Sequence, residues 1–490
     1  MITQIRQAIV CPLISSYRRA RREGQLAFWI ISAIAFYTPF EDWIAAWLPV
    51  PGPVRTLVRF VPEILLYSIL GQICSQRILE GRGLRKTPID IPVFAIFVSA
   101  FFSILSSGAS LPGSIANLRT NWRYLAIYYS LVNLDFSNLQ LKNLLKNLKI
   151  VLIIQGVVAS LQFFLPNSFN VQFAAGNCSK ADSKGASCGT FLDSAVLSGF
   201  LIVAAIVILT SLYVSSSELI PSLKALASVV TIYFGVFASK KRAALFVALV
   251  IPLLVLLFLR RRRNLMIALW WSAAIAIVFF FVLSSIQISP VFGGYANAEG
   301  GDPSDLVSYF GTIFTKEYWN QTLASSRGWA IVVTINALIK SGRWWFGFGP
   351  ELGSVQRGIE IFLNPDDQAQ LQRNLYVFDD PYWFAITAYF GIVGLLLYWV
   401  VLWQLHRASR QVVRAASSEE EKASGAILQS LTVIAFLYSF VERLFRIRPF
   451  SFYFWLFAGL AINYYCRQRE QRKMTSYSIN KHSLSEESFD

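Results

Sequence analysis

Long apolar runs separated by short charged connectors fill this chain. A helix that crosses a bilayer needs about 20 mostly apolar residues, and windows of that size fall at about 26–48, 57–76, 89–108, 115–134, 149–166 and 193–213. A second set falls at about 222–238, 242–259, 265–285, 381–404, 424–441 and 449–466. The pattern predicts an all-α, polytopic integral membrane protein with about 12 transmembrane helices. The window at 115–134 is the weakest, because Arg119 and Arg123 lie near one end of it. In this plan residues 1–25 are an N-terminal segment, 26–285 carry nine helices, 286–380 form a large loop with short helices, and 381–466 carry the last three. The polar, Ser- and Glu-rich tail at 467–490 reads as disordered.

Composition agrees with the pattern. Of 490 residues, 55% are hydrophobic and 15% charged, with a mean hydropathy of +0.50, whereas a soluble domain carries roughly a quarter charged residues. The net charge of +16, from 44 Lys+Arg against 28 Asp+Glu, would suggest nucleic acid in a soluble protein. In a membrane protein it divides between two faces instead, and no nucleic-acid partner is expected.

Alternate connectors are basic: Arg18 to Arg22, Arg77 to Lys86, Lys142 to Lys149, Arg260 to Arg263, Arg407 to Lys422, and Arg467 to Lys473. Lys and Arg are retained on the cytoplasmic side, so both termini are expected in the cytoplasm. The first apolar run is wide enough to span, and no cleavable signal peptide is expected. The opposite face then owns the loops at about 167–192 and 286–380. Cys178 and Cys188 fall in the first of these, where an oxidising compartment would join them as a disulfide; two free thiols are the alternative.

Several arginines fall on the face that this rule keeps poor in them. They are Arg119 and Arg123, the turn Ser239-Lys240-Lys241-Arg242, the trio Arg443, Arg446 and Arg448, and Arg327, Arg343, Arg357 and Arg373 in the large loop. Solvated or snorkelling charges are the plain explanation for any single one. Collectively they suggest an anion site, because the guanidinium fork donates paired hydrogen bonds to phosphate and stays charged. Glu63, after Pro62 in the second span, is an intramembrane carboxylate that is a functional candidate or an arginine's partner.

Within the large loop, Ser325-Ser326-Arg327 opens a helix over about 327–340, with Trp329, Val332, Val333, Asn336 and Ile339 at helical spacing. A Gly347-Phe348-Gly349 turn follows, then Asp379-Asp380-Pro381-Tyr382-Trp383 and Ala388-Tyr389-Phe390-Gly391-Ile392-Val393-Gly394 entering the next span. This order of parts resembles the signature region of the O-antigen ligase and O-antigen polymerase superfamily. The turn Ser239-Lys240-Lys241-Arg242-Ala243-Ala244 and the pair Gln155 and Gln162 in the fifth span are similar to that family's pattern as well. The motif resemblance covers about 80 residues.

The resemblance implies a GT-C-like glycosyltransferase in the bacterial inner (plasma) membrane. It would act at the periplasmic face on a polyprenyl-diphosphate-linked oligosaccharide, with the lipid bilayer and other polysaccharide export proteins as partners. Arg242 and Arg327 match the resembled motifs and are the expected diphosphate clamps, with Arg123, Arg443, Arg446, Gly347, Gly349 and Tyr382 as further substrate-binding candidates. No metal or cofactor is expected, since fixed cations can stabilise the departing diphosphate. Asp379, Asp380 or Glu351 could take the acceptor proton, although Asp380-Pro381 is equally a helix start. Trp344, Trp345, Tyr382 and Trp383 could stack on sugar rings or anchor the interface. Ligases of this family carry a His before the span that follows the large loop. Here Asp379-Asp380 stands in that place, and the only histidines are His406 and His482 on the other side, which favours a polymerase over a ligase. An anion or bicarbonate transporter and a scaffold subunit without chemistry are the other classes to separate from it.

Overall fold

The computed structural model describes residues 24–164, 186–215, 223–259, 326–374 and 380–486, and the described residues are helical without a strand. The helices are α1 (24–37), α2 (Glu41–Trp47), α3 (Gly52–Leu79), α4 (Asp90–Ser107), α5 (Leu111–Trp122), α6 (Leu125–Asn133) and α7 (Asn138–Phe164). They continue as α8 (Ser194–Ser215), α9 (Leu223–Ala238), α10 (Arg242–Leu259), α11 (Ser326–Lys340), α12 (Leu352–Glu360) and α13 (Pro365–Asn374). The last are α14 (Tyr382–Ala415), α15 (Glu419–Tyr438) and α16 (Arg448–Glu486).

Five described helices are long and apolar enough to cross a membrane: α3, α4, α7, α14 and residues Ser194–Val214 of α8. α9 and α10 are apolar but shorter. The expected span at 265–285 lies outside the described residues. α8 and the apolar half of α16 form the centre, with Leu201, Ile202, Val203, Phe454, Leu456 and Phe457 fully buried. α15 packs against α14, α8, α10 and α16, while α6 packs between α16 and α3. The outward faces of α3 and α4 keep Ile64, Phe94, Phe101 and Leu105 exposed, as a lipid-facing surface requires.

Three expected elements differ, each for a readable reason. The run at 26–48 is interrupted after residue 37 by a 3-10 turn, Thr38–Phe40, that contains Pro39. The run at 115–134 is two helices, α5 and α6, which meet at Arg123 and Tyr124. The tail is helical through Glu486 rather than disordered; no Gly or Pro between 467 and 486 stops α16.

Charges collect at two ends. At one, Arg85 pairs with Asp135 at 3.0 Å and Glu470 at 3.3 Å, and Arg77 donates to the Asn133 carbonyl at 2.8 Å. Gln468 reaches the Ala415 carbonyl there. This end thus joins connectors that the charge pattern assigned to one face. The other end carries Arg119, Arg123, Arg443, Arg446 and Arg448.

Candidate functional site

α5 brings Asn117, Arg119, Asn121 and, just past its last turn, Arg123 to the arginine-rich end. Helical spacing sets Asn117 and Asn121 one above the other, and Asn121 Nδ2 donates to Asn117 Oδ1 at 2.8 Å. The same Asn117 oxygen accepts from Arg446 Nη2 at 2.6 Å, and the Tyr382 hydroxyl donates to Asn121 Oδ1 at 3.2 Å. Two asparagines of α5 therefore tie the turn after α15 to the start of α14. Arg446 lies 5.5 Å from the Tyr389 ring centroid. Burial, and then the neighbouring charge of Arg123, pulls its pKa down to about 10, so it stays cationic at neutral pH.

Around this core the other arginines are paired. Glu63, 5% exposed, accepts from Arg119 at 2.6 Å and from Arg123 Nη1 at 3.4 Å. Arg448 pairs with Glu41, Arg59 with Asp42 at 3.5 Å, and Arg443 with Asp380 at 3.6 Å. Burying cations together stabilises only when such partners are present. The charge pattern missed Glu41, Asp42, Asn117 and Asn121. The two asparagines were visible as an i, i+4 polar pair in the weakest apolar window.

The glycines have a different role from the one their motif suggested. α14 is broken at Gly391, whose φ of 67° and ψ of −169° are not helical. The segment 343–349 lies against the break and exchanges backbone bonds with it. Phe348 N donates to Ala388 O at 2.8 Å, Gly349 N to Tyr389 O at 3.2 Å, Ile392 N to Trp344 O at 2.9 Å and Val393 N to Trp345 O at 3.4 Å. Ser103 of α4 adds a hydroxyl bond to Tyr389 O at 2.8 Å. These bonds satisfy backbone groups that the break releases, as a membrane-depth interruption must. A Cβ at Gly347 would meet Ala388 O at 2.6 Å, and one at Gly349 would meet Ser107 Oγ at 2.3 Å. Close backbone packing against α14 and α4 thus requires both glycines, and they are spoken for by protein rather than by a ligand.

Other candidates divide similarly. Tyr382 is fully buried among Phe445, Tyr398 and Trp383, so it positions α5 and has no face for a sugar ring. Trp383 is also buried and donates to Phe436 O at 2.8 Å, whereas Trp345 is exposed. Glu351 accepts from Ser110 N and Ser110 Oγ, both at 2.8 Å. Those bonds hold its carboxyl below the usual range, which makes it a tie between α5 and α12 and a weak base. α14 starts after Pro381 without a side-chain cap, and the Asp380 carboxylate faces Arg443. Asp379 and Cys178 lie outside the described residues, as do the side chains of Arg242, Arg327 and Arg373. Before Arg242, the turn holds Lys240 at a positive φ of 54°, and burial pushes its ammonium down to about 8.

Gln155 and Gln162, both buried in α7, grip a non-helical segment that enters the bundle before α8. Gln162 Oε1 accepts from Cys188 N at 3.1 Å and Gly189 N at 2.8 Å, and its Nε2 returns a bond to Gly189 O at 2.8 Å. Gln155 Nε2 donates to Thr190 Oγ1 at 2.8 Å. Cys188 is disulfide-bonded. Leaving a buried amide unmade costs about 1–3 kcal/mol, and Gln162 serves two. The Gln162→Ala protein is expected to lose several degrees of thermal midpoint in detergent; an unchanged midpoint would show that the grip is dispensable.

Among the described residues no group of three His, Cys, Asp or Glu could hold a metal ion. No protein-family model matches this chain, and no curated protein matches it.

Proposed function

We propose that this protein is a polysaccharide polymerase with about 12 spans and a GT-C-like arrangement, acting at the periplasmic face of a bacterial inner membrane. The donor is a polyprenyl-diphosphate-linked glycan and the acceptor is a hydroxyl of another glycan. The acceptor oxygen bonds to the anomeric carbon of the donor as the bond from that carbon to the diphosphate oxygen breaks. The lipid diphosphate leaves with the electron pair, and the hydroxyl proton passes to a carboxylate, with Asp380 or Asp379 as the base.

The observation that carries the reading is the convergence of Arg119, Arg123, Arg443, Arg446 and Arg448 at one end of the bundle, from two stretches distant in sequence, around the half-buried Arg446–Asn117 contact. Fixed cations stabilise the leaving diphosphate where its charge develops, without reorganisation. An anion transporter would favour polar groups near mid-depth, whereas these arginines gather at an end.

The test is the length distribution of surface or secreted polysaccharide in a deletion strain complemented with wild type, Arg242→Ala or Arg327→Ala. For a polymerase, the variants accumulate single repeat units on the lipid carrier and long chains vanish. Long chains that form but stay on the carrier would identify a ligase. Normal chains in every variant would sink both enzymatic readings and bring a transporter or scaffold forward.

A further inference from the structure

A groove of about 400 Å³ runs down the side of the bundle between α3, α4, α5 and α6. Its walls include Tyr67 and Leu70 of α3, Phe97 of α4, Ile115 of α5 and Ala126 of α6, and among the described residues Arg119 is the one charged residue that lines it. Tyr67 and Ile115 are 48% and 55% exposed, so the groove opens sideways, where the lipid-facing surface lies. Its lining runs from Ile115 on α5 past the break at Arg123 and Tyr124 to Tyr129 on α6.

We propose that this groove holds the isoprenoid chain of the polyprenyl-diphosphate donor, with the diphosphate beside Arg119 and the chain running along α6; this rests on the function proposed above. Charge supports that polarity. One carboxylate, Glu63, serves two guanidiniums, Arg119 and Arg123, which leaves one positive charge over at the groove's polar end. The Phe60 ring, 4.3 Å from Arg119 Cζ, and Glu63 hold the Arg119 guanidinium in place. Asn117, two residues before Arg119 on α5, accepts from Arg446. On either side of the break between α5 and α6 at Arg123 and Tyr124, Ile115, Leu118 and Trp122 of α5 and Leu125, Ala126 and Tyr129 of α6 line the groove.

The experiment is photoaffinity labelling of the full chain, in nanodiscs of phosphatidylethanolamine and phosphatidylglycerol, with a diazirine-tagged polyprenyl diphosphate. Labelled peptides should map to 60–73 and 111–129. Ile115→Trp, at an exposed position where bulk is tolerated, should lower labelling there at least tenfold. Leu105→Trp, an equally lipid-facing position on α4 away from the groove, should leave it unchanged. Labelling that excess phosphatidylglycerol abolishes, or that Ile115→Trp does not reduce, overturns the groove as the chain's site. Saturable labelling confined to other helices overturns the groove but leaves the lipid-diphosphate donor standing, and absence of saturable labelling anywhere overturns both.

Discussion

The Gly391→Ala protein is expected not to fold into a monodisperse species. The conformation at Gly391, φ 67° and ψ −169°, lies in a region that is essentially glycine's own, and forcing another residue there costs about 1–3 kcal/mol. Space makes the cost larger. A Cβ would sit 2.2 Å from both the carbonyl carbon and oxygen of Trp345, which are backbone atoms that no rotamer change can move aside. The relief available is to part the segment 343–349 from α14, and that breaks the bonds joining Phe348 and Gly349 to Ala388 and Tyr389, and Ile392 and Val393 to Trp344 and Trp345. In hydrocarbon each orphaned backbone group costs several kcal/mol, so the total exceeds the 5–15 kcal/mol that holds a typical domain together or consumes most of it. Gly71→Ala supplies the opposite sign. Gly71 is interior to α3 with nothing within 4 Å of the added Cβ, and a helical Gly to Ala change gains about 1 kcal/mol. Size-exclusion profiles and thermal midpoints in detergent measure both, and a Gly391→Ala midpoint equal to wild type would refute the argument for the break.

That break also marks where sequence reading reached and where it stopped. The apolar runs located α3, α4, α8, α9, α10 and α15 within a few residues, because hydrophobic length sets a buried helix directly. α7 begins at Asn138 rather than 149 because Lys142 and Lys146 lie on turns that are helical yet not apolar. Arg119 and Arg123 did announce the weakness that separates α5 from α6. A glycine pair, however, reports only that something comes close. Gly347 and Gly349 could equally have approached a phosphate or a carbonyl, and only coordinates distinguish the two. Tyr382 was misread for a related reason: an aromatic before a span has the same composition whether it faces sugar or the interior. The ion pairs Glu41 with Arg448 and Glu63 with Arg119 join residues far apart in the chain, and no local pattern encodes such a pairing.

Among the described arginines, Arg446 is expected to matter most for chemistry. Removing one preorganised donor from a site of developing charge costs about 2.7–4 kcal/mol, so under the proposed function the Arg446→Ala protein should lose about 10²–10³ in rate. Near-complete loss of long polysaccharide is expected in the complemented strain. Structure should survive the change, because Asn117 Oδ1 still accepts from Asn121 at 2.8 Å and the Tyr382 bond to Asn121 is untouched. Arg446→Lys should rescue poorly, since an ammonium cannot hold Asn117 and a phosphate oxygen in one plane as a guanidinium does. Arg443→Ala is the contrast. Its side chain is 41% exposed and its ion pair with Asp380 spans 3.6 Å, a geometry worth at most about 1 kcal/mol, so its effect should be several-fold. The decisive comparison is activity against thermal midpoint for the two alanine variants. Loss of product at Arg446→Ala with a wild-type midpoint requires Arg446 to act on the substrate, whereas a fallen midpoint with proportionate loss would reduce it to a strut between α5 and the turn after α15.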